Sequence, residues 1–215
     1  MCWSIVHRRH VMTKFVARLT LAVAFVFIAG CEPKPDGPYR IVPEPLEVSQ
    51  PTVFEFFGYF CPHCYQLEPM VKAWRRKLPP SVAFVRVPVS FGRPQGRVLM
   101  RAYYLGELLG VLDKSHPMVF QRIHVERRPI ATDEDLISFF VALGIPRAKV
   151  ESTLASDALK QELEDAEQLA RRFRIDSVPT FVVNGRYRTD AGMTGSARKL
   201  FAEIDRLLRK RQSDQ

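Results

Sequence analysis

Only four of the 215 residues are cysteine, and two of them, Cys2 and Cys31, lie in or beside an apolar N-terminal stretch. The other two, Cys61 and Cys64, have no second Cys-x-x-Cys to complete a zinc knuckle. His116 and His124 are eight residues apart, which suits neither a helical nor a knuckle pair, so no metal site is expected. The chain also lacks a clustered Lys/Arg stripe. Its net charge is +9, but residues 1–30 hold no acid and four bases, Arg8, Arg9, Lys14 and Arg18, which leaves +5 for the remainder. Nucleic acid is therefore not an expected partner. The N-terminal apolar run, Leu19 to Ile28, falls short of the roughly 20 residues that a membrane-spanning helix needs. Internal repeats are absent, and the single low-complexity run is a short proline-rich one.

What is present fits one medium domain, or a domain with an insertion: 47% of residues are hydrophobic and 26% charged, enough for a packed core. Residues 1–30 read as an export signal, with a basic segment, an apolar centre and the small residues Ala29 and Gly30. Met12 is an ordinary start of its own, which would make residues 1–11 an upstream extension. Ile28-Ala29-Gly30-Cys31 resembles the bacterial lipoprotein box, which implies a diacylated Cys31 as the new N-terminus. Ordinary cleavage near Ala29, leaving Cys31 a free thiol, is the competing reading. Residues 31–38 are then an extended, proline-rich tether.

The densest chemistry lies in Phe60-Cys61-Pro62-His63-Cys64-Tyr65. An apolar run, Val53-Phe54-Glu55-Phe56-Phe57, precedes it, and helical periodicity follows through Leu67, Met70, Val71, Trp74 and Leu78. A strand thus meets a turn, and a helix starts at the cysteines, with Pro62 suited to its first position. Cys61 then faces unpaired amides and the positive end of the helix dipole, which favour a thiolate. His63, if protonated, adds a second positive neighbour.

Along the chain, Tyr39 to Val48 reads as an edge strand broken by prolines, Thr52 to Phe57 as a central strand, and Val82 to Val89 as a third. Helical periodicity alone occupies about 80 residues after Gly92. Met100, Tyr104, Leu108 and Leu112 form one stripe, and a helix is expected to start at Ser115-His116-Pro117. Thr132 to Asp135 reads as a capping box, Pro146 opens a short helix, and Leu159 to Phe173 marks a longer one. Val178 to Tyr187 then reads as a hairpin with an Asn184-Gly185 turn, before a last amphipathic helix through Leu200, Ile204 and Leu208.

Phe54-Glu55-Phe56-Phe57 with Phe60-Cys61-Pro62-His63-Cys64-Tyr65 resembles the active site of DsbA-type thiol-disulfide oxidoreductases. The resemblance extends over residues 39–211. It implies an α/β thioredoxin fold with an inserted all-helical subdomain: residues 39–92 and 174–211 form the thioredoxin-like part, and 93–173 the insertion. It also implies that Cys61 is the exposed nucleophile, that Cys64 resolves the mixed disulfide, and that the pair is the only redox group, with no other cofactor. The family's low cysteine pKa and oxidising couple come with it. Val178-Pro179 matches the family's cis-proline loop, which exposes the Val178 backbone to a substrate strand. Glu55 matches a buried acid beneath the disulfide, with Arg86 in the place of the family's lysine. Glu68, a turn beyond Cys64, is expected to be solvated and to tune the site weakly at most.

The implied activity is donation of the Cys61–Cys64 disulfide to reduced, newly exported proteins in the periplasm. A quinone-linked membrane partner would restore the disulfide, and the enzyme would work as a monomer, tethered through Cys31. An isomerase or reductase is the alternative, weakened by Val178 and by the lack of an N-terminal dimerisation domain. A tethered, non-enzymatic binding module is a third reading, weakened by the intact cysteines.

Overall fold

The computed structural model describes residues 37–213. Cys2, Cys31, the export signal and most of the tether lie outside these residues. Within them, five strands form one sheet in the order β1-β5-β4-β2-β3. These are β1 (Arg40–Ile41), β2 (Thr52–Phe57), β3 (Ala83–Pro88), β4 (Thr180–Val183) and β5 (Tyr187–Thr189). β2 runs parallel to β3 and antiparallel to β4, and β5 is antiparallel to both β4 and β1. Every residue of β2 is buried, as a near-continuous apolar run at the centre of a sheet covered on both faces requires.

The helices are α1 (Pro62–Arg75), α2 (Pro94–Leu108), α3 (Leu112–His124), α4 (Asp133–Ala142), α5 (Arg147–Leu154), α6 (Asp157–Arg172), α7 (Ala191–Thr194) and α8 (Ala197–Ser213). Strand alternation assigns the two sheet faces. Val53, Phe181 and Val183 pack with Leu67, Val71 and Trp74 of α1 and with Leu200, Ile204 and Leu207 of α8. Phe54, Phe56 and Val182 point to the other face. There Phe173, just past α6, meets Phe54 and Phe56 at ring distances of 5.7 and 5.9 Å. Five helices, α2–α6, fill the chain between β3 and β4. This is the expected thioredoxin-type sheet with a helical insertion.

Three local expectations need correction. The first strand spans two residues rather than ten, because Pro43 and Pro45 cannot donate to a ladder. Val42 and Leu46 still donate across them, to the carbonyls of Arg186 and Gly185. Leu112 opens α3 instead of closing the α2 stripe, because Gly110 at φ +70° turns the chain between the two helices. Pro117 consequently sits inside α3 rather than at its start. The helix tolerates it while burying Ser115, His116, Val119 and Phe120. Elsewhere the local signals hold. The Thr132 hydroxyl accepts from Asp135 N–H at 3.1 Å, and the Asp135 carboxylate accepts from Thr132 N–H at 3.0 Å. The Asn184-Gly185 turn has φ of +53° and +63°, as a tight hairpin turn demands.

Candidate active site

β2 ends at Phe57, and the turn Gly58–Phe60 delivers Cys61 to the N-cap of α1, with Pro62 in the first turn. Cys61 N–H donates to the Gly58 carbonyl at 3.0 Å, and Tyr65 N–H closes the first helical turn on the Cys61 carbonyl at 3.2 Å. Cys61 has φ −89° and ψ 116°, the extended geometry of a cap. Its sulfur therefore folds back over the helix end, where Cys64 N–H donates to it at 3.4 Å. On its other side the thiol donates to the Val178 carbonyl, also at 3.4 Å. The Val178–Pro179 peptide is cis.

Cys61 is only 7% exposed, against 4% for Cys64. The expectation of an exposed nucleophile is thus corrected: the capping geometry and the Val178 loop cover most of the residue, while Pro62 and His63 stand out in solvent. The two thiols nevertheless differ sharply. The Cys64 thiol hydrogen bond, with backbone amides of Cys64 and His63 and the His63 charge, outweighs burial and holds Cys61 at about 6. Burial first, and the neighbouring Cys61 second, push Cys64 well above the ordinary thiol range. One sulfur is disposed to leave or attack as an anion, and the other to hold its proton.

Beneath the pair lies a buried polar network. Glu55 and Arg86 are register neighbours on the parallel strands β2 and β3, and Arg86 Nε donates to Glu55 at 2.8 Å. Glu55 is 3% exposed. Burial is the larger influence and raises its pKa despite the guanidinium. Arg86 Nη2 also donates to both oxygens of Glu68, at 2.7 and 2.8 Å. Glu68 is therefore a half-buried member of this network rather than a solvated residue. Burial opposes its ionisation, yet His116 and Arg86 together hold its carboxyl below the usual range. A planar guanidinium can bridge two carboxylates in this way, where an ammonium would act as a point charge.

Sequence reasoning left Glu68 in solvent and gave no role here to Tyr59, whose hydroxyl is 2.7 Å from His116 Nδ1 and whose carbonyl is 2.7 Å from His124 Nε2. Glu68 follows Cys64 by one helical turn, so its side of α1 was legible. The histidines come from α3, and nothing in the sequence ties them to residue 59. A groove of about 1190 Å³ opens over this network between α1, β3 and the inserted helices. Its lining includes Glu68, Arg86 and His116 but neither cysteine.

Residues 52–202 match the family described as the DSBA-like thioredoxin domain. The chain belongs to that family. It is 36% identical to the thiol:disulfide interchange protein DsbA of Pseudomonas aeruginosa over 204 residues, covering 92% of this chain and 95% of that one. It is 34% identical to the protein of the same name from Azotobacter vinelandii, over 95% of this chain and 100% of the relative. A crystal structure of Pseudomonas aeruginosa DsbA superposes with a TM-score of 0.79 at 36% identity, over 84% of this chain and 95% of that one. The DsbA-type fold and the thiol:disulfide interchange activity thus belong to this chain, which is an oxidoreductase.

Proposed function

We propose that the chain donates its Cys61–Cys64 disulfide to reduced proteins newly exported to the periplasm, with that pair as its only redox group. The observation that carries this reading is the asymmetry of the two thiols, with Cys61 drawn down to about 6 and Cys64 pushed up. In the oxidised enzyme a substrate thiolate attacks Cys61 Sγ, the Cys61–Cys64 bond breaks, and Cys64 leaves and takes up a proton. A second substrate thiolate then attacks the substrate sulfur of the mixed disulfide, and Cys61 leaves as a thiolate. The substrate loses two electrons and the enzyme gains them. A stable Cys61 thiolate drives both the release and the overall direction. Pro62 and His63 shape the helix start, Glu55 and Arg86 set the charge beneath the pair, and Val178 with Pro179 offers backbone to a substrate strand.

Two electrons must then leave Cys61 and Cys64, and a quinone-linked membrane protein is the partner the family resemblance implies. Attachment through a diacylated Cys31 would keep a monomeric enzyme near it. Equilibration with glutathione tests the direction of chemistry: the reading requires an oxidising couple, and a potential as reducing as that of thioredoxin would overturn it. Cys64→Ser should accumulate mixed disulfides through Cys61, and Cys61→Ser should form none. Intact mass of the cell-derived protein tests the anchor. Cys31→Ser should release soluble protein, and a mature terminus elsewhere would end that part.

A further inference from the structure

Helix α3 belongs to the insertion, yet two of its side chains close on a single residue of the redox turn. Tyr59 lies two residues before Cys61. Its hydroxyl is 2.7 Å from His116 Nδ1, and its carbonyl oxygen accepts from His124 Nε2 at 2.7 Å. His116 is 3% exposed and is ringed by Phe57, Tyr103 and Phe120 at 5.3, 5.9 and 5.2 Å. An imidazole in such surroundings needs polar partners. Its Nε2 lies 3.3 Å from Glu68 Oε2 but off the hydrogen-bond direction, so the Tyr59 contact is the better formed of the two. Burial lowers the pKa of this ring against the pull of Glu68. Nδ1 then accepts from the Tyr59 hydroxyl while Nε2–H turns towards Glu68. His124 lies flat on Tyr65, with centroids 5.0 Å apart and an angle of 8°, which fixes the ring that donates to Tyr59.

We propose that His116 and His124 are positioning residues for the disulfide exchange, holding Tyr59 at both ends so that Cys61 Sγ stays over the N-terminus of α1. The turn they brace is also the one whose Gly58 carbonyl takes Cys61 N–H at 3.0 Å. The contact from Cys64 N–H to the Cys61 sulfur is long, at 3.4 Å, and a small tilt of the turn would open it. A turn left free to rock would cost the thiolate its donors. The inserted helices thereby act on the chemistry through the turn that carries Cys61. This inference rests on reading Cys61 as the low-pKa thiol.

The test is thiolate titration of Cys61 by ultraviolet absorbance, on the purified protein and a small set of variants. Tyr59→Phe removes the hydroxyl alone. His116→Asn places an amide where Nδ1 stands and keeps the Tyr59 contact. His116→Gln reaches the Nε2 position, keeping Glu68 and dropping Tyr59. His124→Phe retains the stack on Tyr65 and loses the donor. Tyr59→Phe, His116→Gln and His124→Phe should each raise the midpoint by about half to one unit, a three- to tenfold loss of thiolate at a pH below it. Tyr59→Phe combined with His116→Gln should shift it no further than either alone, and His116→Asn should match the parent protein. A raised midpoint in His116→Asn, or an unchanged one in Tyr59→Phe, overturns the proposal. An unchanged midpoint in His124→Phe overturns the part given to that residue. A parent midpoint at the free-thiol value would instead overturn the underlying reading of Cys61, so the two failures stay distinct.

Discussion

Raising the pH from about 5 to about 8 should stabilise the reduced protein relative to its own disulfide form. The cause is the Cys61 thiol, held at about 6 in the fold against an ordinary value of 9.0. A depressed folded pKa contributes stability that is complete above the unfolded value and is lost as the pH falls through the folded one. With 6 folded and 9.0 unfolded, linkage gives almost nothing at pH 5, about 1.4 kcal/mol at pH 7 and about 2.7 kcal/mol at pH 8. Solvent at the helix end screens part of this, and about half is expected to remain. The disulfide has its own advantage in the oxidised form: closing a four-residue loop removes about 2 kcal/mol of unfolded-chain entropy. The oxidised form should therefore lose stability steadily against the reduced form from pH 5 to pH 8, as the thiolate contribution grows. The window stops there because the raised Cys64 thiol begins to work in the opposite sense once the unfolded chain ionises. Parallel urea denaturation of both forms across the pH series, at constant ionic strength, measures the gap. A gap that stays constant from pH 5 to 8 would refute the depressed Cys61 thiol and the direction of chemistry drawn from it.

His63→Ser should raise the Cys61 thiolate midpoint by a few tenths of a unit and make the couple less oxidising, since the His63 charge is the smallest of the named contributions; absorbance titration and a glutathione equilibrium both read it. Arg86→Met should cost about 3–5 kcal/mol at neutral pH, because it strands Glu55 and Glu68 without their shared cation. Part of that loss should return in acid as Glu55 takes up a proton, and equal denaturant midpoints for parent and variant at pH 7 would contradict it. Gly185→Ala should destabilise the fold by clearly more than Gly92→Ala. Both have positive φ, but a Cβ at 185 would stand 2.0 Å from the Leu46 carbonyl oxygen, whereas at 92 it meets nothing within 4 Å. Thermal unfolding ranks the two, and equal losses would argue that backbone strain alone, about 1–2 kcal/mol, accounts for both.

Much of this protein is written in local sequence. The Cys61-Pro62-His63-Cys64 order at the end of an apolar strand placed the thiols at a helix start, because a cap and a first-turn proline act over three or four residues. The Thr132 and Asp135 capping box, the Asn184-Gly185 turn and the stripe of α8 were legible for the same reason. Glu55 stood out as an acid inside an apolar strand, and burial with a cation was the consistent outcome. The two-residue first strand, the proline inside α3 and the near-burial of Cys61 were misjudged. Each depends on what a neighbouring segment offers: a hairpin edge to pair with, a face to bury, a loop to cover the sulfur.

The sequence by itself thus determined the redox pair, the strand, turn and helix that present it, and the family to which it belongs. Only the tertiary structure decided that Arg86 would join two carboxylates, and that His116 and His124 would meet Tyr59, more than fifty residues away. Local order follows from backbone geometry and hydrophobic period, which adjacent residues carry between them. Bringing α3 against the redox turn instead required the whole insertion to fold over the sheet. Partners chosen by that packing have no fixed separation along the chain, and so leave no spacing to read.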